Sequence, residues 1–470
     1  MKSILVVIFG LLSSVTSFAM SVDWTGTYRF EFVELDRPSL TEPKLRKSYM
    51  LNHLNLNPKV IAADGINIVG RFDLLPSSAF PNSQVGQQFG SGVGAGPSNS
   101  AVDSNVASTN QAATNLQVTQ LYLDILQEYG EIVVGRAPLQ FGLGITHNAG
   151  NGMFDHWYDL RDMLAYRFVV GNLSMMPVFS RVYDASLAQG QDVSDMIWDF
   201  EYKNPETNSE FGVLHQTRSA SIAANDAPFA AYGGSSVTGD WKTQDVNLYI
   251  ARGFENFDIK FEAGFKSGST GMVRTVGSGT EKIDLNGYGL ALEMNFAKPD
   301  SKWKWNIKTG VASGDNPDTT NYEGYQFDKN YDIGFLLFNH PMGMYDLFTS
   351  NLQKHGAAPN TPYGIENTVD DESVSNAIFF APSATYLLND RWEWKNTLIT
   401  ANLQTNPVTG LEVDKGVGIE WDTTFIYKPI DRVRWVNEVG ILMPGNAFTM
   451  DGAFDKKTTF GWQSRIAVSF

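Results

Sequence analysis

"TTFGWQSRIAVSF", residues 458–470, ends the chain on a regular alternation of side chains. Read at the two-residue period of a β-strand, its large apolar residues (Phe460, Trp462, Ile466, Val468 and Phe470) share one face, and polar or small residues fill the other. A half-buried strand of a water-soluble protein has the same pattern. The rest of the chain must therefore decide what the apolar face contacts.

The alternation recurs throughout the sequence. The segments "WTGTYRFEF" (24–32), "FDIKFEAGF" (257–265), "WKWNIKTGV" (303–311) and "VGIEWDTTFIY" (417–427) each confine their charges to one face. No segment keeps a helical period over three turns, and no later stretch approaches the ~18 consecutive apolar residues of a membrane-spanning helix. The chain is predicted to consist almost entirely of strands and connections.

The connections between these segments alternate between short and long. Eight tight turns and nine long loops predict eighteen antiparallel strands with both chain ends on the side of the tight turns. The predicted long loops are 36–47, 77–115, 142–161, 184–194, 222–241, 269–283, 314–375, 406–415 and 444–456.

Two architectures have alternating strands, the β-sandwich and the transmembrane β-barrel. A strict separation of short turns from long loops is typical of barrels, whose turns are periplasmic and whose loops are extracellular. Six of the eleven tryptophans also lie near the starts of strands that leave the short turns, as an interfacial girdle requires: Trp24, Trp303, Trp305, Trp392, Trp394 and Trp435. We predict an all-β fold, a transmembrane antiparallel up-and-down barrel of about 18 strands with long extracellular loops. Because no strand edge can stay unpaired in lipid, the last strand should pair with residues 24–32.

The first residues predict export. Lys2 precedes an apolar run over residues 4–12 and a small-residue pattern ending at Ala19, so residues 1–19 are predicted to be a signal peptide and 20–470 the barrel. The predicted location is the outer membrane of a Gram-negative bacterium. The chain has no cysteine and hence no disulfide, and 51 acidic against 35 basic residues exclude a basic nucleic-acid binder.

Charged residues on the inward faces are the candidate functional residues. Alternation assigns the following candidates to the pore lining: Arg71, Asp73, Asp124, Arg136, Arg167, Arg218, Lys304, Lys308, Arg434 and Arg465. They either pair across strands and stabilise the wall, or form a selectivity ring for a charged solute. Both interpretations remain open at this stage.

Three long loops differ in composition. The loop 77–115 has one charge and is rich in Gly, Ser, Asn and Ala, whereas 314–375 contains "YDIGFLLFNHPMGMYDLF" (331–348), which is too apolar to lie free in water. We expect 314–375 to fold inward or to form a lid. The loop 142–161 carries Asp155, His156 and Asp159, which could ligate a metal, but the chain has no His-x-x-x-His pair, phosphate loop or nucleophile motif. We therefore predict no enzyme activity, no cofactor and no metal.

Two segments carry a resemblance to a known family. "VVGRAPLQFG" (133–142) and "VASGDNPDT" (311–319) resemble motifs of the alginate-export family of outer-membrane proteins. The resemblance implies a monomeric barrel that passes an anionic polysaccharide or a similar polar solute, with Arg136 in the pore. The lumen predicted here is closer to charge balance than that family's basic pore. The terminal strand ending at Phe470 likewise resembles the signal recognised by the barrel-assembly machinery.

Two functions follow from the sequence. The first is a channel in the lipid bilayer that passes a polar solute, such as an anionic saccharide or polysaccharide, by passive transport. The second is a plugged barrel that acts as a surface binding or adhesion protein. The loop 314–375 separates them, since a lid that moves indicates transport and a rigid plug indicates binding.

Overall fold

One closed antiparallel sheet forms the molecule. The computed structural model describes residues 21–76, 85–89, 116–184, 192–221, 235–276, 279–348, 363–365, 369–370, 372–408 and 411–470. Within these ranges twenty strands belong to a single sheet. The strands are β1 (Ser21–Leu35), β2 (Lys47–Ala63), β3 (Ile66–Leu74), β4 (Gln87–Gln88), β5 (Leu116–Gln127), β6 (Gly130–Pro138), β7 (Leu160–Val170), β8 (Leu173–Asp184), β9 (Asp192–Asn204), β10 (Ser209–Ala220), β11 (Ser235–Val237), β12 (Trp241–Gly253), β13 (Phe257–Val276), β14 (Gly279–Ala297), β15 (Trp303–Ala312), β16 (Ala377–Asn389), β17 (Trp392–Leu403), β18 (Gly416–Tyr427), β19 (Val433–Pro444) and β20 (Thr459–Ser469). Eighteen strands are long, whereas β4 and β11 are short additions beside β2 and β13.

The barrel closes where its first and last strands meet. β1 pairs with β20 from Thr27↔Ser469 to Leu35↔Gly461, which confirms the predicted closure. Gly26 and Phe470 exchange two backbone hydrogen bonds of 3.0 Å. A Cβ on Gly26 would lie 2.6 Å from the Phe470 ring, so only glycine lets the terminal ring pack against the first strand. The aromatic end of the chain thus covers the seam of the barrel.

The eight tight turns occur where the sequence predicts them, and one predicted long loop is wrong. We call the end of the barrel with these turns the turn end and the opposite end the loop end. Residues 269–283 are mostly strand, because β13 extends to Val276 and β14 starts at Gly279, with a register shift between Ser269 and Met272. The extensions keep one face buried through Met272, Ile283 and Leu285, so packing sustains the pairing where the sequence suggests a polar loop.

The two faces of the wall have opposite character. On β18, Ile419, Trp421 and Phe425 are more than two-fifths exposed, whereas the intervening Glu420 and Asp422 are almost fully buried. A water-soluble strand would show the reverse. The outward apolar surface and inward polar surface are those of an outer-membrane β-barrel.

The main hydrophobic core lies inside the barrel. It packs inward-facing wall residues against Phe327, Phe335, Leu336 and Phe338, which belong to the connection between β15 and β16. A second buried cluster lies along the inner wall of β6 to β10 and includes Val133, Met163 and Ile197. In the described part of the chain no helix has the length and apolar character needed to cross a membrane. The predicted signal peptide 1–19 and nearly all of loop 77–115 lie outside the described residues.

Candidate functional site

The connection 139–159, between β6 and β7, folds into the barrel; we call it the first inner loop. Gly142 and Gly144 adopt positive φ angles of 51° and 81°, which turn the chain inward. The carboxylate of Glu262, on β13, accepts hydrogen bonds from the backbone N–H groups of Gly144 at 3.0 Å and Ile145 at 3.4 Å. An inward acidic residue of the wall therefore holds the tip of this loop.

The connection between β15 and β16 is described over residues 313–348, 363–365, 369–370 and 372–376; we call these residues the second inner loop, and they are held in the same way. The backbone N–H groups of Leu336 and Leu337 each donate to Glu420 at 2.6 Å, and that of Phe335 donates to Asp422 at 3.1 Å. The apolar side chains of this segment are buried, which agrees with the expectation that the loop folds inward. Carboxylates of β18 thus satisfy backbone donors that the loop buries with its apolar residues.

The two inner loops bind each other. The Asn330 side chain accepts from the backbone N–H groups of His156 and Trp157 at 3.2 and 3.1 Å, and it donates to the Trp157 carbonyl at 2.8 Å. The N–H of Asp328 donates to the Ile145 carbonyl at 2.8 Å. Because each loop fixes the other, they form one obstruction across the lumen.

His156 ties this obstruction to the wall. Its Nε2 lies 2.7 Å from Glu31 of β1, and its Nδ1 contacts Asp370 of the second inner loop. Burial alone would lower the pKa of His156, but Asp370 and Glu31 outweigh that effect and raise it to about 9. His156 is therefore a cation at neutral pH and bridges two carboxylates.

A cavity of about 510 Å³ lies between the inner loops and the wall strands β10, β12, β13 and β14; we call it the vestibule. Three cations line it: Arg218, Lys266 and Lys329. Lys266 lies 4.9 Å from the ring centre of Tyr325, and Lys329 lies 4.0 Å from that of Trp157. The vestibule combines positive charge with aromatic surface.

One carboxyl group, Asp328, also lines the vestibule. Burial raises the pKa of Asp328 to about 7, although the Asn330 N–H that donates to it favours the charged form. The group is therefore partly protonated at neutral pH. Arg218 is paired with Asp195, but Lys266 and Lys329 still outweigh the partly protonated Asp328, so the field in the vestibule favours anions.

A second, much smaller cavity adjoins the vestibule. It has about 20 Å³, room for about one water molecule, and we call it the polar cavity. Glu31, His156, Asp370 and Arg465 line it, and Lys329 lines both this cavity and the vestibule. On this side of Lys329 the described residues therefore leave room for about one water molecule.

Several predicted pore-lining residues hold the inner loops or the wall. Arg71 is buried, and its guanidinium donates to the Gly150 carbonyl at 3.2 Å and to Asp73 at 3.3 Å. Asp73 in turn contacts His53 at 3.1 Å. Arg71 and Asp73 therefore fix the first inner loop to β3, a structural role for two charges on the inner wall.

The remaining predicted pore-lining residues lie at different heights along the barrel and have different partners. Near the vestibule Arg218 makes two 2.8 Å hydrogen bonds to Asp195. Beside the second inner loop Lys308 contacts Glu293 at 3.3 Å, and beside the polar cavity Arg465 lies 3.7 Å from Glu438. On the inner wall Arg167 contacts Glu131 at 3.2 Å, and Asp124 accepts from Asn67 at 3.3 Å. Lys304 and Arg434 are exposed and lie at the starts of β15 and β19, near the turn end.

Arg136 requires a correction. The sequence assigns it to the lumen, but the structure places it on the outward face, beside exposed Leu121 of β5 and paired with Asp162 of β7. The neighbours Val133 and Val134 are both apolar, so alternation does not determine the direction here. In the structure Val133 is buried and Val134 is exposed, and Arg136 lies on the same face of β6 as Val134 and therefore points outward.

Sequence reasoning missed the residues that the inner loops contribute. The vestibule is lined by Lys329, Trp157 and Tyr322, among others. These residues belong to irregular segments, in which no two-residue period predicts the direction of a side chain. The one usable signal is the apolar run 331–348, which places its loop inside and brings residues near it into the lumen. Among the described residues no group of three or more His, Cys, Asp or Glu side chains is arranged to hold a metal ion.

Comparisons with known proteins give the fold. No family model and no curated protein matches the sequence. Solved structures do match over nearly the whole chain. Pseudomonas aeruginosa OccK9 (OpdG) has a TM-score of 0.50 at 10% identity, with 96% of this chain and 98% of that chain covered. P. aeruginosa OccK2 (OpdF), solved with glucuronate, has 0.49 at 9% over the same shares, and a BenF-like porin from Pseudomonas fluorescens Pf-5 has 0.48 at 11%, also over 96% and 98%. None of these matches supports the alginate-export resemblance; the match to OccK9, at a TM-score of 0.50, shows that this chain shares its barrel fold with that outer-membrane protein.

Proposed function

We propose that this protein is an outer-membrane channel of a Gram-negative bacterium that passes small polar anions passively. The observation that carries the proposal is the vestibule, a cavity of about 510 Å³ with three cations and several aromatic side chains between the inner loops and the wall. Guanidinium and ammonium groups bind carboxylates through charge-assisted hydrogen bonds, and aromatic faces pack against the apolar faces of sugar or aromatic rings. A small acid such as a uronic acid or an aromatic carboxylate fits this chemistry, and the proposal needs no covalent step.

The narrow passage beyond the vestibule requires a moving part. A polar cavity of about 20 Å³ admits water but no organic acid. The second inner loop crosses this region, so its displacement would open the way. Transport of a polymer such as alginate would need a far wider displacement than that of a monomeric acid, and we therefore favour the monomer.

The remaining expectations belong to the same proposal. Residues 1–19 direct export as a signal peptide, the barrel-assembly machinery reads the strand ending at Phe470, and the loop end faces the exterior. The barrel acts as a monomer. Protease added to intact cells should then cut within 77–115 and spare the turn 204–209.

Planar-bilayer recording of the purified protein tests the channel. We expect discrete conductance steps, a reversal potential that favours anions, and block by sodium glucuronate. Lys329→Gln should weaken the block by roughly 10- to 150-fold, since a hydrogen bond to a charged group contributes about 1.5–3 kcal/mol. Lys282→Gln is the matched control, because it removes one positive charge from an exposed position of β14 beside the buried Ile283. Equal block in the two variants would contradict the vestibule's role.

A second function is favoured by the narrow polar cavity itself. If the inner loops form a fixed plug, the barrel is a surface protein that binds an acidic glycan at the vestibule. Glucuronate would then bind, as calorimetry would show, while no conductance steps appear. The same variant, Lys329→Gln, would weaken that binding.

A further inference from the structure

The barrel wall has a gap between β5 and β6. Their pairing ends at Leu121↔Arg136, although β5 begins at Leu116, and in the described residues 116–120 have no partner on the β6 side. The cause is the course of the chain after β6. This strand ends at Pro138, which has no N–H to continue the ladder, and the next residues turn inward as the first inner loop.

A cavity of about 500 Å³ fills this gap; we call it the side cavity. Its lining includes residues of both faces of the wall. Val118 and Asp162 are exposed on the outward face, whereas Thr119 is buried and hydrogen-bonds the inner-wall Asp73, and Arg161 lies 3.4 Å from the fully buried Asp195. The side cavity therefore extends through the thickness of the wall.

The outer end of the side cavity lies at membrane depth. Arg136 is six residues beyond Gly130, the first residue of β6, which is roughly 16 Å at ~3.4 Å per residue and a ~40° tilt. The apolar band of such barrels is about 25 Å tall. Leu121, Leu164 and Phe179, on neighbouring strands, are all about half exposed at this level. Among the described residues, the outer end of the side cavity thus lies beside lipid-facing apolar side chains, on the side of the band nearer the loop end.

Charged residues on this outward surface form a row across four strands. Arg136 makes two 2.7 Å hydrogen bonds to Asp162, and Arg181 lies 2.7 Å from Asp192. The register places Asp162 opposite Arg181, which joins the two pairs. Charges on a lipid-facing surface cost free energy, about 2–4 kcal/mol for an Arg at the midplane, so a row of them points to a function.

Tyr158 lines both the side cavity and the vestibule, so the inner end of the side cavity and the vestibule meet at this one side chain. We propose that the side cavity is a lateral portal through which an amphiphilic acid passes between the vestibule and the surrounding lipid. The carboxylate head accepts hydrogen bonds from the guanidiniums of Arg136 and Arg161, and the apolar body leaves through the gap between β5 and β6. This inference rests on the barrel lying in a membrane and does not depend on which polar anion the channel passes.

Site-directed labelling tests the portal, since the chain has no cysteine of its own. Leu160→Cys, in the side cavity, is labelled with bimane in lipid vesicles and titrated with 11-bromoundecanoic acid, whose bromine quenches fluorescence on contact. Leu164→Cys, on the lipid-facing surface of the same strand, is the control. At position 160 we expect quenching that saturates, because the acid fills a site. At position 164 we expect quenching that rises linearly with the concentration of the acid, because it reports only the partition of the acid into lipid. Linear quenching, or none, at both positions would overturn the portal.

Three further experiments test which chemical group binds in the side cavity. Arg136→Gln should weaken the saturable phase at position 160 by about tenfold, because one charge-assisted pair of hydrogen bonds is lost. 11-Bromoundecanol, which lacks the carboxylate, should give no saturable phase; a saturable phase would refute recognition of the acid. If brominated phosphatidylglycerol gives the same saturable quenching, the site holds a lipid headgroup and passage of a free acid is refuted. Conductance without saturable quenching would defeat the portal alone, whereas saturable quenching without conductance would defeat the proposed channel alone.

Discussion

Glu420 should control how often the second inner loop leaves the lumen. Its carboxyl group is fully buried and accepts the N–H groups of Leu336 and Leu337, both at 2.6 Å. Glu420→Gln keeps the size of the side chain but leaves one acceptor oxygen for two donors, and the new NH₂ group faces a backbone N–H. One buried donor of the loop loses its partner.

The expected magnitude follows from two opposing contributions. A buried donor without an acceptor costs about 1–3 kcal/mol, which shifts the ratio of closed to open loop by roughly 5- to 150-fold. The four apolar side chains of residues 335–338 are buried as well, and Phe338 also packs on Phe348. At about 1.5–3 kcal/mol each, these side chains stabilise the closed loop by roughly 6–12 kcal/mol. In the Glu420→Gln variant the second inner loop should therefore remain inside the barrel most of the time but open more often than in the wild type.

Single-channel recording measures this directly as open probability. The matched control is Glu438→Gln on β19, because Glu438 binds Thr424 at 2.8 Å and Gln463 at 2.5 Å within the wall. Both variants should keep the heat-modifiable gel mobility of a folded barrel. An open probability that is unchanged in Glu420→Gln, or that rises equally in both variants, would refute the reasoning that this carboxyl group holds the loop.

Three further predictions concern lipid contact and pH. Phe261→Arg, near the middle of the apolar band, should lower the free energy of unfolding in vesicles by about 2–4 kcal/mol, measured by urea titration and compared with Phe261→Leu. Anion preference should fall as the pH rises through about 7, because Asp328 then ionises in the vestibule, and Asp328→Asn should abolish that change in reversal potential. The pKa of His156 is raised above its usual 6.5 to about 9, so its stabilising contribution is complete below pH 6.5 and is lost as the pH rises through 9. The melting temperature of the wild type should therefore approach that of His156→Asn above pH 9, and a constant difference from pH 6 to 10 would contradict this role.

The wall of the barrel could be predicted from the sequence because strands with two different environments have a period of two. "VGIEWDTTFIY" gave the faces of Ile419, Glu420 and Phe425 correctly, and the tight turns followed from the breaks between such segments. Prediction was wrong where the period was ambiguous. Arg136 comes after Val133, Val134 and Gly135, and residues 272–276 and 279–283 stay paired because Ile283 and its neighbours pack against the interior rather than because of any strong alternation.

The candidate site could be predicted only in outline. The apolar run 331–348 indicated an inward loop, since so many apolar residues could not remain in water. The partners of that loop depend on contacts far apart in sequence, such as Asn330 with Trp157 and His156 with Glu31, which no local pattern encodes. The vestibule is built from such contacts and so needed the folded chain.

The charge balance of the inner wall is a poor guide to its selectivity, and the inner loops explain why. Glu262 and Glu420 count as negative charges in the sequence, but their oxygens accept backbone N–H groups of the loops and are buried beneath them. Lys266 and Lys329 lie over aromatic rings at the vestibule, where a solute can reach them. A wall with equal numbers of acidic and basic residues can therefore present a positive field, because the acidic residues hold the loops while the lysines line the cavity. The selectivity of this barrel should consequently follow changes in the vestibule more closely than changes in the total charge of its inner wall.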